Sequence, residues 1–299
     1  MSTDARRAAT VQARRDLPPA AHPRRHLDAR GARGRALHWR RYHAAMQTKS
    51  PLRTTPPTPA TSPGAAGARR LPHPGCEGCL SRHLAVCAAL PASETHALEE
   101  AAGDLALAAG ATLAHEGGPR RDVYTVTRGM LRRVRLLPDG RRLVAGFLMP
   151  GDFIGFSGAA QYRHTIEAVT DSLLCAFPMP AMRRLCERFP ELESSMLAQA
   201  CAELDATRAS LMLLARMGPA ERLAGFLLDL AERQRLRGGA AQHVDLPMTR
   251  ADIADHLGLT IETVSRSFTR LRQDGAIAFT DPRAIDLVDL PALRRAAGL

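Results

Sequence analysis

The sequence predicts an α+β chain: a sandwich or barrel of short strands, then one long helix, then two short helices followed by a hairpin. Three observations carry this. Glycines recur at 110, 117, 129, 140 and 151 between β-rich runs; a stretch free of Gly and Pro runs from Glu191 to Met217; and GLT, at residues 258–260, separates two Thr-initiated apolar segments. At 299 residues the chain has room for two ordinary cores plus tails.

Residues 1–74 are rich in Arg, Ala, Pro and Thr. As in TTPPTPATSPGAAG, they lack the apolar periodicity that builds a core, so they read as a disordered tail. An over-long gene start, with Met46 as the true beginning, or a transit peptide would share this composition, and a nonspecific DNA-binding arm is a further reading. The tail holds 15 Lys and Arg against three acids, leaving 26 basic and 27 acidic residues beyond it. The net charge of +11 is therefore a property of the tail, and nucleic-acid binding has to be argued from a local surface. With no run of about 18 apolar residues and no apolar signal-peptide centre, a cytoplasmic protein without a membrane partner is expected. Six cysteines in that compartment are reduced thiols, and a clustered subset points to metal or redox chemistry.

The strand domain spans residues 75–190, with VYTVTRG, LRRVRLL and RRLVAGFLMPGD as its clearest strands. Pro138–Gly140 (PDG) supplies hairpin chemistry between two of them. In the helix over 191–217, Leu197, Leu204 and Leu211 fall seven apart, and Ala200, Thr207 and Leu214 fill the alternate seam. Such a heptad seam pairs helices, so a homodimer is expected; packing on its own domain is the alternative. A second helix starts at Pro219 and faces inward through Leu223, Phe226, Leu227 and Leu230.

Residues 218–299 end in helix-turn-helix grammar. Thr249 caps a first helix through Leu257, GLT turns the chain, and Thr260 caps a second helix to about Asp274. Ile253, Leu257, Leu259, Val264, Phe268 and Leu271 lock the pair, leaving Glu262, Ser265, Arg266 and Arg270 outward. That face suits the DNA major groove: Arg266 can grip guanine, Glu262 can accept from the cytosine amino group, and Ser265 can reach a base edge or phosphate. Two β segments around TDPRA supply a wing. There is no paired His–carboxylate motif, GxSxG, Walker loop or GxGxxG opening a helix, which argues against an enzyme.

Residues 75–296 resemble the CRP/FNR superfamily. The glycine ladder with Gly151-Asp152 and Ile154–Phe156 is similar to its cyclic-nucleotide-binding-type β-roll (jelly roll), and TRADIADHLGLTIETVSR to its winged helix-turn-helix. ETVSR resembles the FNR branch, which implies that Glu262, Ser265 and Arg266 read a TTGAT-like palindromic promoter site and that an activator contacts RNA polymerase. Cyclic-nucleotide binders carry Glu soon after the cassette Gly and an Arg-Ser/Thr-Ala run. Here Gly155 is followed by Phe156-Ser157, and Arg163 by His164-Thr165, which disfavours a cyclic nucleotide.

PGCEGCLSRHLAVCAAL places Cys76, Cys79 and Cys87 in C-x2-C-x7-C spacing. Thiolates suit iron–sulfur clusters, which take four anchoring positions. Cys175, Cys186 and Cys201 are all open to the fourth role on sequence alone, the last two otherwise reading as buried thiols. The triplet resembles an FNR variant whose fourth cysteine lies late in the β-roll, which implies Cys76, Cys79, Cys87 and Cys175 as ligands of a 4Fe-4S cluster. By the same resemblance, oxygen destroys the cluster and weakens the dimer and its DNA binding. Two rivals stay open: tetrahedral zinc on Cys76, Cys79, His83 and Cys87, and a thiol switch of Cys76 and Cys79.

Overall fold

The computed structural model describes residues 68–71, 75–156 and 159–299, apart from the side chains at 209, 212–216 and 280. Ala68–Leu71 forms strand β1. After it the cysteine loop coils through tight helical turns at Arg82–Leu84, Val86–Ala89 and Ala92–Glu94 into α1 (His96–Ala101). Strands β2 (Gly103–Leu107), β3 (Thr112–Ala114), β4 (Asp122–Arg128), β5 (Leu131–Leu136), β6 (Arg142–Leu148), β7 (Phe153–Ile154), β8 (Thr165–Ala168) and β9 (Ser172–Pro178) follow. They form two antiparallel sheets, ordered β1-β2-β9-β4-β7 and β3-β8-β5-β6. Alternate inward residues fill the space between the sheets, with Val126, Leu131 and Leu174 fully enclosed.

Strand β1 corrects the expected tail boundary. Residues 68–71 pair with β2 from Leu71↔Asp104 to Ala68↔Leu107. An edge strand is held by backbone hydrogen bonds, which ARRL supplies without an apolar pattern. Residues 1–67 and 72–74, with Met46, lie outside the described residues.

Helices α2 (Met179–Arg188), α3 (Pro190–Arg216) and α4 (Pro219–Arg235) come next. The seam on α3 faces away from its own domain: Leu197, Leu204 and Leu211 are 65%, 49% and 62% exposed. Ala200 is half-buried and Thr207 exposed, its hydroxyl donating to the Glu203 carbonyl, while the side chain of Leu214 lies outside the described residues. Cys201 is exposed on the same helix, which corrects the expectation of a buried thiol: among the described residues no other element covers that side of α3.

The last domain comprises β10 (His243–Asp245), α5 (Arg250–Leu257), α6 (Ile261–Gln273), β11 (Ile277–Asp281), β12 (Ala284–Leu287) and α7 (Leu290–Ala296). Strand β10 completes the wing in the order β10-β12-β11. The β5–β6 hairpin stays paired in its own sheet but turns part of its surface into this domain's core: Val134, Val144 and Phe147 pack with Leu223, Leu227 and Ile253. Around this contact Arg132 and Arg142 meet Asp252 at 2.8 and 2.5 Å, Arg142 meets Asp255 at 2.8 Å, and the His256 ring is bonded through Nδ1 to the Val144 carbonyl at 2.9 Å. Asp152 holds Arg233 and Arg237 of the segment around α4 at 2.8 and 2.7 Å.

Candidate DNA interface and cysteine centre

The helix-turn-helix is set by its caps. The Thr249 hydroxyl accepts from the Asp252 N–H at 3.1 Å, while the Asp252 carboxylate accepts from the Thr249 N–H at 3.0 Å, a reciprocal capping box that starts α5. Gly258 ends it in the left-handed region at φ 64°, a conformation costly for other residues, and turns the chain. The Thr260 hydroxyl then accepts from the Thr263 N–H at 3.2 Å to start α6.

Helix α6 buries Val264, Phe268 and Leu271 and exposes Glu262, Ser265, Arg266 and Arg270 along one face. Its own backbone N–H and the Thr260 hydroxyl hold the Glu262 carboxyl below its usual range, so at neutral pH it is a charged acceptor. The Ser265 hydroxyl donates to the Ile261 carbonyl at 2.9 Å, and Arg270 lies 3.8 Å from Asp274. Sequence reasoning missed Arg250, whose guanidinium sits 3.6 Å from the Phe268 ring centre and 5.5 Å from that of Phe279. It binds α5, α6 and the wing into one body, and its signal was only an Arg after the Thr cap.

The cysteine loop folds against β4 and β9 so that Cys76, Cys79, Cys87 and Cys175 line one narrow cavity. Cys175 on β9 is flanked in register by Asp104 on β2 and Thr125 on β4. Ala85, Val86, Leu98, Phe177 and Met182 supply apolar wall, and Arg82, Thr125 and Thr127 supply polar wall. The loop is pinned from several sides. The Cys76 N–H donates to Glu99, the Ser81 hydroxyl to the Thr127 carbonyl at 2.7 Å, and the Gln199 amide of α3 to the Leu84 carbonyl at 3.0 Å. Gly151, at φ 96°, admits Leu84 so closely that a Cβ there would lie 2.6 Å from it.

Burial, with the neighbouring Glu99 and thiols, pushes the Cys76 thiol up to about 12; burial and Cys79 push Cys87 up to about 11, and burial with Asp104 pushes Cys175 up as well. Burial thus favours the neutral thiol at Cys76, Cys87 and Cys175, and binding of a metal group there must displace protons. All six cysteines are free. Cys186 lies apart, 3.7 Å from the Met196 sulfur, and Cys201 is solvent-exposed. His83 is exposed and does not line the cavity. Among the described residues no three His, Cys, Asp or Glu side chains are grouped to hold a single ion. The expected fourth partner Cys175 is thus brought to the triplet, whereas His83, Cys186 and Cys201 are not. In the region of the cyclic-nucleotide cassette, Arg120 donates to the Gly155 and Ala159 carbonyls, while Arg163 is exposed and His164 half-buried.

A strand sandwich joined through a long helix to a winged helix-turn-helix is the architecture of a DNA-binding transcription regulator. The chain belongs to the CRP/FNR family. Residues 221–296 match the Crp-like helix-turn-helix domain and residues 105–189 the cyclic nucleotide-binding domain. Nitrogen fixation regulation protein FixK of Bradyrhizobium diazoefficiens is 39% identical over 203 residues, covering 68% of this chain and 86% of the relative. Transcriptional activator protein FnrL of Cereibacter sphaeroides is 34% identical over 227 residues, covering 75% and 92%. The solved structure of FixK2 from Bradyrhizobium japonicum is similar with a TM-score of 0.61 at 31% identity, over 65% of this chain and 96% of that one. The chain is accordingly a DNA-binding transcription regulator. No helix among the described residues is long and apolar enough to cross a membrane.

Proposed function

We propose that this regulator senses oxygen through a 4Fe-4S cluster held by Cys76, Cys79, Cys87 and Cys175, and that the cluster controls dimerisation through α3 and binding to a palindromic TTGAT-like operator. The observation that carries this is the convergence of four thiols, from two distant segments, on one mostly apolar cavity. The donor set fits the group: four soft sulfurs, with no imidazole among the described residues that line the cavity. Two buried polar atoms in the cavity wall, Arg82 Nε and Thr125 Oγ1, also have no hydrogen-bond partner among the described residues. When bound, the cluster supplies an oxygen-labile centre that ties the loop to β9.

The chain's own residues supply the coupling. The loop carrying three thiols touches α3 through Gln199 and Leu84, so ordering the loop bears on the helix that presents Leu197, Leu204 and Leu211. A cofactor shifts such an equilibrium only by interacting differently with its two states. FnrL, named as a transcriptional activator, supports reading this chain as an activator, which would act by contacting RNA polymerase.

The test is an anaerobic visible spectrum with iron and acid-labile sulfide assays, followed by admission of air, on wild type and Cys175→Ala. A broad band that bleaches in air and is missing from the variant is expected; colourless, zinc-bearing protein would refute the cluster. For the DNA-reading arm, Arg266→Ala is expected to weaken operator binding by about 1–3 kcal/mol per half-site and to lose discrimination at one base position. Fluorescence anisotropy on operators changed at single positions reads this out. Uniform weakening on every sequence would instead make Arg266 a phosphate contact.

A further inference from the structure

We infer that the Thr125 hydroxyl and the Arg82 Nε–H donate hydrogen bonds to sulfur atoms of the cluster or its ligands, and that these two bonds govern how readily the cluster is lost to oxygen. The inference rests on the cluster assignment above.

Three hydroxyls and one guanidinium stand in or just behind the cavity wall. The Ser81 hydroxyl donates to the Thr127 carbonyl at 2.7 Å, and the Thr127 hydroxyl to the Leu173 carbonyl at 2.9 Å. Thr125, two residues before Thr127 on the same face of β4, is 4% exposed, yet its Oγ1 has no partner. Its register partner across the sheet is Cys175. Side chains paired across antiparallel strands share a face and lie in contact range, so the hydroxyl belongs beside the Cys175 sulfur.

Arg82 is anchored at its tip, where Nη2 donates to the Leu90 carbonyl at 2.6 Å, while its buried Nε is left without a partner. Its main chain is also tied into the site, since the Arg82 N–H donates to the Cys79 carbonyl at 3.2 Å.

A buried donor without a partner costs about 1–3 kcal/mol, and folded proteins rarely tolerate two within one cavity. A thiolate-held iron–sulfur group offers many sulfur acceptors and a net negative charge. Hydrogen bonds to those sulfurs draw electron density from the cluster and make it harder to oxidise. Thr127 serves as an internal control: it lines the same cavity but spends its hydroxyl on backbone.

The experiment uses the anaerobically purified, cluster-loaded full-length protein and the variants Thr125→Val, Arg82→Met and Thr127→Val. Val keeps the shape of Thr and suits a strand, so the fold should tolerate both threonine changes. Bleaching is followed at a fixed oxygen concentration, and resonance Raman spectra are compared in light and heavy water. Thr125→Val and Arg82→Met are each expected to bleach about tenfold faster and to lose part of the solvent-isotope shift of the Fe–S bands. Thr125→Ser should restore both properties, and Thr127→Val should behave as wild type.

A third readout needs no cluster. In apo-protein, Thr125→Val should raise the thermal midpoint, because it removes an unsatisfied hydroxyl. Bleaching rates and Raman shifts equal to wild type in loaded Thr125→Val and Arg82→Met would overturn this inference alone. Absence of iron and sulfide from wild type would overturn the cluster assignment and this inference with it.

Discussion

Asp252→Ala is expected to destabilise the protein by about 3–5 kcal/mol, the range for removing one partner from a buried charge cluster. Asp252 is 1% exposed and serves two structures at once. Within its own helix one carboxylate oxygen accepts from the Thr249 N–H and hydroxyl; across the domain boundary the other accepts from Arg132 and Arg142. Removing the carboxylate takes away its half of the α5 capping box and leaves two partly buried guanidinium groups facing each other. Arg132 keeps Glu167 and Arg142 keeps Asp255, which limits the loss. Asp252→Asn retains an acceptor for the cap and should lose less. Differential scanning calorimetry of the three proteins checks the order.

The same site fixes a pH dependence. Burial acts to raise the Asp252 carboxyl, but the Thr249 hydrogen bonds with Arg142 and Arg132 outweigh it and hold the group below the usual carboxylate value. A group whose folded-state value is depressed contributes stability above its unfolded value, about 3.9 for Asp, and loses it as pH falls through the folded one. The gap in thermal midpoint between wild type and Asp252→Asn should therefore be full at neutral pH and close as the solution is acidified below about pH 4. A gap that persists unchanged in acid would show that the cluster's charges contribute nothing.

Much of this architecture was legible because it is locally encoded. The Thr249 and Thr260 caps, the Gly258 turn and the Val264, Phe268, Leu271 stripe are short-range signals, and the helix bounds agree with them to within a residue. The heptad on α3 was legible as periodicity, and the exposure of Leu197, Leu204 and Leu211 is what a seam awaiting a partner requires. Long-range matters were not legible. Arg132 and Arg142 lie 120 and 110 residues from Asp252, and nothing in LRRVRLL or RRLVAGF marks two of its arginines for another domain. Strand β1 was missed because ARRL pairs through its backbone, and β10 because three residues carry no alternation. Cys175 came from resemblance alone; its place beside the triplet depends on the β2-β9-β4 register, which no local spacing encodes.

Leu204→Glu is expected to abolish the dimer and to lower operator affinity by about 100- to 10,000-fold, the range over which linking two sites raises binding. In a two-fold helix pair a central seam residue lies near its own copy, so one substitution introduces two facing carboxylates. It also places them where apolar surface would otherwise be buried, and two like charges out of water cannot both stay ionised at low cost. Leu204 is the middle of three seam leucines and is 49% exposed in the single chain, so the change should leave the monomer's own packing intact. That separates two effects which both reduce DNA binding. Sedimentation velocity should show a folded monomer, and binding to a half-site duplex should match that of wild-type monomer, because Glu262, Ser265 and Arg266 lie on a different helix. Only the full palindrome, with its two half-sites one helical turn apart, should discriminate the proteins. A variant that still sediments as a dimer with unchanged operator affinity would place the two-fold contact on a face other than α3. The exposed row of Leu197, Leu204 and Leu211 would then need a different occupant.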